Sequence, residues 1–125
     1  MLDASFFISP QDLWASVGSA KAPQIVDVCS KDFYDSATGV VPAAVWYGAK
    51  PIKDWLPKID RARPVVAVCK AGHDLSQAAA AQLRADGYEA RVLEGGHAGW
   101  ETAGLPFVDR ASLERFAPTR PSVWV

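Results

Sequence analysis

The sequence predicts an α/β domain built on a mainly parallel sheet, and two apolar runs with helix-like segments around them carry that expectation. Ile25-Val26-Asp27-Val28-Cys29 and Val65-Val66-Ala67-Val68-Cys69 are short, rich in β-branched residues and free of polar alternation. Strands covered on both faces have this pattern. Helix-like segments separate and follow them, so that strand and helix alternate along the chain, as a parallel sheet with crossover helices requires.

Taken in order, Ser9 opens a first helix from Pro10 to Val17, a short helical piece lies around Asp54 to Ile59, and a third helix runs from Ser76 to Asp86. The third is the clearest. Ser76 is placed to cap it, the run from Gln77 to Ala85 consists of strong helix formers, and Gly87 is placed to end it. A strand from Ala90 to Leu93 follows, and Gly95-Gly96 turns the chain. Trp14, Trp46 and Trp55 read as packing residues.

A chain of 125 residues with 50% hydrophobic composition holds one packed core. Residues 1–109 are expected to form it, with 110–125 as a C-terminal extension or linker. Thirteen basic and 14 acidic residues leave a net charge of -1, with no block of Lys or Arg, so neither nucleic acid nor an anionic membrane is an expected partner. No apolar run approaches the roughly 20 residues that span a bilayer, and Met1-Leu2-Asp3-Ala4 lacks the basic flank of a secretory signal; a cytoplasmic domain is expected. Two cysteines, Cys29 and Cys69, are too few for a disulfide scaffold and lack the close pairing of a zinc site, so neither metal nor cofactor is expected.

Cys69 stands at the end of a buried strand, where ligands gather in open α/β sheets. The segment that follows, Lys70, Ala71, Gly72, His73, Asp74, Leu75 and Ser76, joins that strand to a helix, so its backbone N–H groups can converge on an anion beside the sulfur. Gly72 lets the loop curl. The amino end of a helix favours the thiolate, the nucleophilic form of a thiol. Lys70 either assists electrostatically or is a solvated loop charge, His73 either donates to an anionic substrate or faces water, and Asp74 opposes both.

These residues lie among motifs that resemble the rhodanese family. Ile8-Ser9-Pro10-Gln11-Asp12-Leu13 is similar to that family's first strand and helix, Ile25-Val26-Asp27-Val28 to its Asp-Val-Arg strand, and Val41-Pro42-Ala43-Ala44 to its Ile-Pro-Gly-Ala turn. Leu93-Glu94-Gly95-Gly96 followed by Gly99-Trp100 is the most specific match. The resemblance implies a three-layer α/β/α fold with a five-stranded, mainly parallel sheet. It also implies that Cys69 forms a persulfide, with Lys70 to Leu75 as its anion-binding loop. The implied reaction moves sulfane sulfur from a small anion such as thiosulfate to a thiol or cyanide acceptor. Asp27, Glu94 and Trp100 then read as structural.

Two departures stand out. Ser76 lies seven positions after Cys69, which makes the loop one residue longer than is usual in sulfurtransferases. A longer loop resembles the related phosphatases and arsenate reductases, but these close Cys-x5-Arg with a guanidinium, and this chain has Leu75 there. Phosphatase activity is therefore not expected. The second departure is Cys29, which replaces the usual arginine after Asp-Val and reads as a core filler or, alternatively, as a disulfide partner for Cys69. A fainter resemblance links Cys-x-x-Gly-His-x-x-Ser-Gln, Cys69 to Gln77, and the tail Arg120 to Val125 to rhodanese domains of chromate-resistance proteins. That likeness keeps a second function in view, a low-turnover oxyanion-binding module.

Overall fold

The computed structural model describes residues 4–48 and 50–109; the expected extension 110–125 and its tail motif lie outside them. Five parallel strands form one sheet: β1 (Phe7–Ile8), β2 (Gln24–Asp27), β4 (Ala44–Trp46), β5 (Val65–Val68) and β6 (Ala90–Leu93). Across the sheet they stand in the order β1-β6-β5-β2-β4. A two-stranded antiparallel ribbon, β3 (Gly39–Val40) with β7 (Val108–Asp109), stands apart from it.

The side-chain period of two sorts the strands onto two cores. Val26, Val65, Ala67 and Val92 face Ala79, Ala80 and Leu83 of α4 (Asp74–Ala85), together with Trp55 of α3 (Ile52–Trp55). Ile25, Val66, Val68 and Leu93 face Leu13 of α1 (Pro10–Ser16) and Trp100 of α5 (Gly96–Thr102). Helices thus cover both faces of the sheet, which gives the three layers that the family resemblance implies. Burial on both sides explains why β5, all four residues of it buried, reads as a continuous apolar run.

Several local expectations shift. Both cysteine-ending runs stop being strand earlier, at Asp27 and Val68, so each cysteine lies in the loop after its strand. The third helix starts at Asp74, two residues before Ser76, and His73 occupies the cap position without a side-chain hydrogen bond. Ser76 therefore lies inside the first turn, fully buried, and is not the cap. Asp74 contributes charge where the helix dipole favours it. Ser9 does cap α1, its Oγ accepting from the Asp12 N–H at 3.1 Å. Trp55 is buried and stacks on Tyr47 at 5.0 Å between centroids, whereas Trp14 is 40% exposed and meets Trp100 edge-on. The short α2 (Lys31–Ser36) has no fully buried residue, and the sequence reading missed it together with β4 and the ribbon.

The connections after β2 and β5 run in opposite directions, β2 leading to β4 on one side and β5 to β6 on the other. The carboxyl ends of these neighbouring strands are therefore the topological switch point, where a crevice opens. The loop after β5 rests here, backbone to backbone, on the Gly95-Gly96 turn. A Cβ on Gly96 (φ 59°) would overlap the Cys69 carbonyl oxygen and approach the Gly72 and Ala71 nitrogens to 2.7 and 2.9 Å. A Cβ on Gly72 (φ 77°) would come within 2.9 Å of both the Gly95 nitrogen and the Leu93 oxygen. The helix that follows holds the loop in place, since the His97 N–H donates to the Cys69 carbonyl at 2.9 Å and the Ala98 N–H to the Lys70 carbonyl at 3.0 Å.

Two expected outcomes follow from backbone geometry, and denaturant titration checks both. Gly96→Ala forces the Cys69 loop off the turn and costs about 2 kcal/mol or more; an unchanged midpoint contradicts the close packing. Ala43, at φ 68°, is the one non-glycine with positive φ among the described residues. It occupies the place of glycine in the resembling Ile-Pro-Gly-Ala turn. Ala43→Gly is expected to stabilise the domain by roughly 0.5–1 kcal/mol, the relief of left-handed strain exceeding the added entropy of the unfolded chain.

Candidate functional site

Cys69 leaves β5 at the switch point with its side chain 5% exposed. Its Sγ lies 3.0 Å from Ser76 Oγ, so the buried first turn of α4 presents a hydroxyl to the sulfur. Sequence spacing alone made Ser76 look like a cap. The earlier helix start carries it one turn inward, to the position where it meets Cys69.

Between these residues the chain turns its amides outward from α5. A trans peptide directs its C=O and N–H to opposite sides, and the Cys69 and Lys70 carbonyls are committed to the amides of His97 and Ala98. Gln77 Nε2 donates to the Gly72 carbonyl at 2.9 Å, pinning the next peptide as well. Among the described residues, the backbone N–H groups of Lys70 through Ser76 have no protein acceptor. A cluster of unpaired donors at a helix amino end is suited to a small anion.

The other expected loop residues divide by exposure. Gly72 is buried and Ala71 half-buried, whereas Lys70, His73, Asp74 and Leu75 are exposed. Lys70 leans over the Phe33 ring at 5.8 Å from Nζ to centroid. Leu75, 42% exposed, brings no positive charge to the loop.

Beside this loop lies a second polar cluster that the sequence reading did not assemble. Asp27, 1% exposed, accepts from the Cys29 N–H through Oδ1 at 3.0 Å and shares a hydrogen with His97 Nε2 through Oδ2 at 2.7 Å. Asp27 was expected to be structural, and these two bonds show how it is. His97 went unnoticed. Seventy positions separate the pair, and only the turn at Gly95-Gly96 brings the imidazole under the end of β2. The ring packs edge-on against Phe33 at 5.1 Å and parallel to Phe107 at 6.1 Å. Trp46 Nε1 donates to the Cys29 carbonyl at 3.0 Å, completing the wall on the β4 side.

Cys29 belongs to the same apolar cluster as Cys69, so both thiols face one side of the sheet. Burial, and after it the Asp27 carboxylate, pushes the Cys29 thiol far above the ordinary thiol range, with a smaller push from Cys69. Cys29 is thus a protonated core thiol at neutral pH, which agrees with its reading as a filler and opposes its acting as a nucleophile. The expectation that no metal would be held rested on the spacing of cysteines along the chain; the fold instead gathers donors of three kinds, Asp27, Cys29 and His97.

Comparisons with known proteins bear on the family and the fold. The family model of the rhodanese-like domain matches residues 9–103. No curated protein matches the chain. Among solved structures, a rhodanese homolog from Thermus thermophilus is 34% identical, with a TM-score of 0.59 over 74% of this chain and 98% of that one. A rhodanese-like domain protein from Staphylococcus aureus is 29% identical, with a TM-score of 0.65 over 75% of this chain and 89% of that one. A thiosulfate sulfurtransferase from Pseudomonas aeruginosa is 27% identical with a TM-score of 0.72, and although 84% of this chain is covered, it spans only 19% of that enzyme. The chain belongs to the rhodanese-like domain family, and the sulfurtransferase among its structural neighbours supports a family of the sulfurtransferase type.

Proposed function

We propose that this domain is a sulfurtransferase that carries sulfane sulfur on Cys69 as a persulfide. The observation that carries the reading is the surrounding of one sulfur atom: Cys69 Sγ, 3.0 Å from Ser76 Oγ, stands beside a run of backbone amides with no protein acceptor. Such a surrounding suits a small anion and the negative charge that develops during its reaction with the sulfur.

In the first half-reaction the Cys69 thiolate attacks the outer sulfur of a donor such as thiosulfate. The S–S bond of the donor breaks, and sulfite leaves with the bonding electrons. In the second, a thiol or cyanide acceptor attacks the terminal sulfur of the persulfide, and Cys69 departs as thiolate, ready for another cycle. Charge sits on the same few atoms in each step, so one fixed set of donors, the amides from Lys70 to Ser76 and the Ser76 hydroxyl, serves both. Lys70 draws anions toward the loop mouth and Asp74 works against it. A reducing compartment such as the cytoplasm suits this chemistry, because the thiols must remain free between cycles.

The loop's extra residue favours one further reading, an oxyanion cradle with little turnover, because a wider ring of amides suits a tetrahedral anion such as chromate or sulfate. Intact mass after incubation with thiosulfate separates the two. Retention of one sulfur atom by the wild-type chain, lost in Cys69→Ser with the fold intact by circular dichroism, is the expected result. A mass unchanged by thiosulfate, with no sulfite released, leaves the oxyanion cradle as the function.

Ser76→Ala is expected to slow persulfide formation by about tenfold or more, since a hydrogen bond to a charged sulfur contributes roughly 1.5–3 kcal/mol. The rate is read from sulfite release in a single turnover. An unaltered rate would remove Ser76 from the site.

A further inference from the structure

We propose that Asp27, Cys29 and His97 form a binding site for a borderline-soft divalent cation, Zn2+ in the first place, at the end of β2 beside the Cys69 loop. The site is independent of sulfur transfer and uses none of the atoms assigned to it.

The donor set comes first. One carboxylate oxygen, one thiolate sulfur and one imidazole nitrogen are Zn2+ ligands by type, and the sulfur and nitrogen discriminate against Mg2+ and Ca2+. Their ligating atoms all lie within 4.8 Å of one another, and all three residues are buried. Around a tetrahedral zinc, with bonds of about 2.0–2.3 Å, ligand atoms stand roughly 3.3–3.8 Å apart. The cluster therefore needs a contraction of about 1 Å at its widest, and an opening of about 0.6 Å at the 2.7 Å Asp27–His97 contact, to enclose the cation. Side-chain torsions can supply both.

The support around the donors is that of a held ligand set. The Cys29 N–H fixes Asp27 Oδ1 at 3.0 Å and leaves Oδ2 as the oxygen turned toward the imidazole. Phe33 and Phe107 flank the His97 ring at centroid distances of 5.1 and 6.1 Å, which restricts its rotation. Groups that orient ligands from behind, inside an apolar wall, are what a metal centre requires beyond the ligands themselves. On entry the cation displaces the Cys29 thiol proton to solvent and takes the Nε2 lone pair of His97 in its Nδ1–H tautomer, so the thiolate and the Asp27 carboxylate balance the two charges of the metal.

A cavity of about 250 Å³, lined in part by Phe33, Gly39, Glu101 and Phe107, reaches His97, one of the three donors. The exposed Glu101 places a carboxylate at its wall, where it attracts a cation. Three protein ligands leave a fourth coordination position for water or a small ligand, the arrangement of an open zinc site.

Co2+ titration of the reduced protein tests the proposal, because a thiolate ligand gives a sulfur-to-cobalt charge-transfer band in the near ultraviolet. The expected result is saturation at one equivalent, displacement by Zn2+, retention of the band in Cys69→Ser and its loss in Cys29→Ser. His97→Gln, whose amide preserves a hydrogen bond to Asp27, should weaken binding by at least about tenfold while remaining folded. A readout that needs no variant is the melting temperature of the wild-type domain, which excess Zn2+ should raise by several degrees through linkage. A band that survives Cys29→Ser, a band that disappears with Cys69→Ser, or an absence of saturable binding together with an unmoved melting temperature overturns the site.

Discussion

The contact on which the rest of the site depends is the close approach of two stretches of backbone, the loop after β5 and the Gly95-Gly96 turn after β6. Without side chains at positions 72 and 96 the two can meet at main-chain distances, and the first amides of α5 then reach the Cys69 and Lys70 carbonyls. Those two hydrogen bonds decide which way the loop peptides face. With the carbonyls turned into the protein, the amides from Lys70 onward are left to the crevice, so the cradle proposed for an anion arises from satisfying the opposite side of the same peptides. The same turn launches His97 toward Asp27, which ties α5 to the end of β2. One steric permission, the absence of two Cβ atoms, thus organises both polar clusters.

Much of this was legible in the sequence because it is local. The two apolar runs, the strong helix from the Gln77 region onward and the turn glycines announce themselves within a few residues, and the structure places them in that order. Cys69 and its loop could be read as a site from a strand, a glycine and a helix start in succession. What could not be read is what depends on register or on distant partners. Whether Ser76 caps α4 or lies one turn inside it is a shift of two residues in the helix start, within the ordinary uncertainty of helix ends, yet it converts a backbone cap into a partner for the Cys69 sulfur. The short α2 carries too little apolar periodicity to be seen, and it stays in place through Ser30, whose Oγ accepts from the Phe33 N–H, and through the packing of Phe33 and Tyr34. His97 offered no signal beyond its residue type. A histidine within a glycine-rich helix start reads as ordinary until the fold sets it under Asp27.

The departures from the family pattern are more informative than the agreements, and they act through charge. Leu75 leaves the loop without the guanidinium that related phosphatases and arsenate reductases place after five intervening residues, so the proposed cradle relies on backbone dipoles and the Ser76 hydroxyl. Such donors stabilise an anion of modest charge, or a sulfur carrying one negative charge, and are poorly matched to the transition state of phosphoryl transfer, whose spread charge calls for cationic groups. The lengthened loop without its arginine is therefore compatible with sulfur chemistry and adverse to phosphate chemistry.

Cys29 has the deeper consequence. Where the resembling strands supply an arginine, a buried Asp27 finds a guanidinium directly after its own strand; here the next side chains are a valine and a thiol, and a carboxylate at 1% exposure must find its partners elsewhere. It finds the Cys29 amide on one oxygen and His97 on the other. The replacement alters what the position can do. A guanidinium is always charged and would fill the space with five donors, whereas an imidazole and a thiol are smaller, can each lose a proton, and expose lone pairs. The polar group beneath the sheet end thereby changes from a closed ion pair into three side chains whose lone pairs lie close together, while Asp27 keeps two hydrogen bonds.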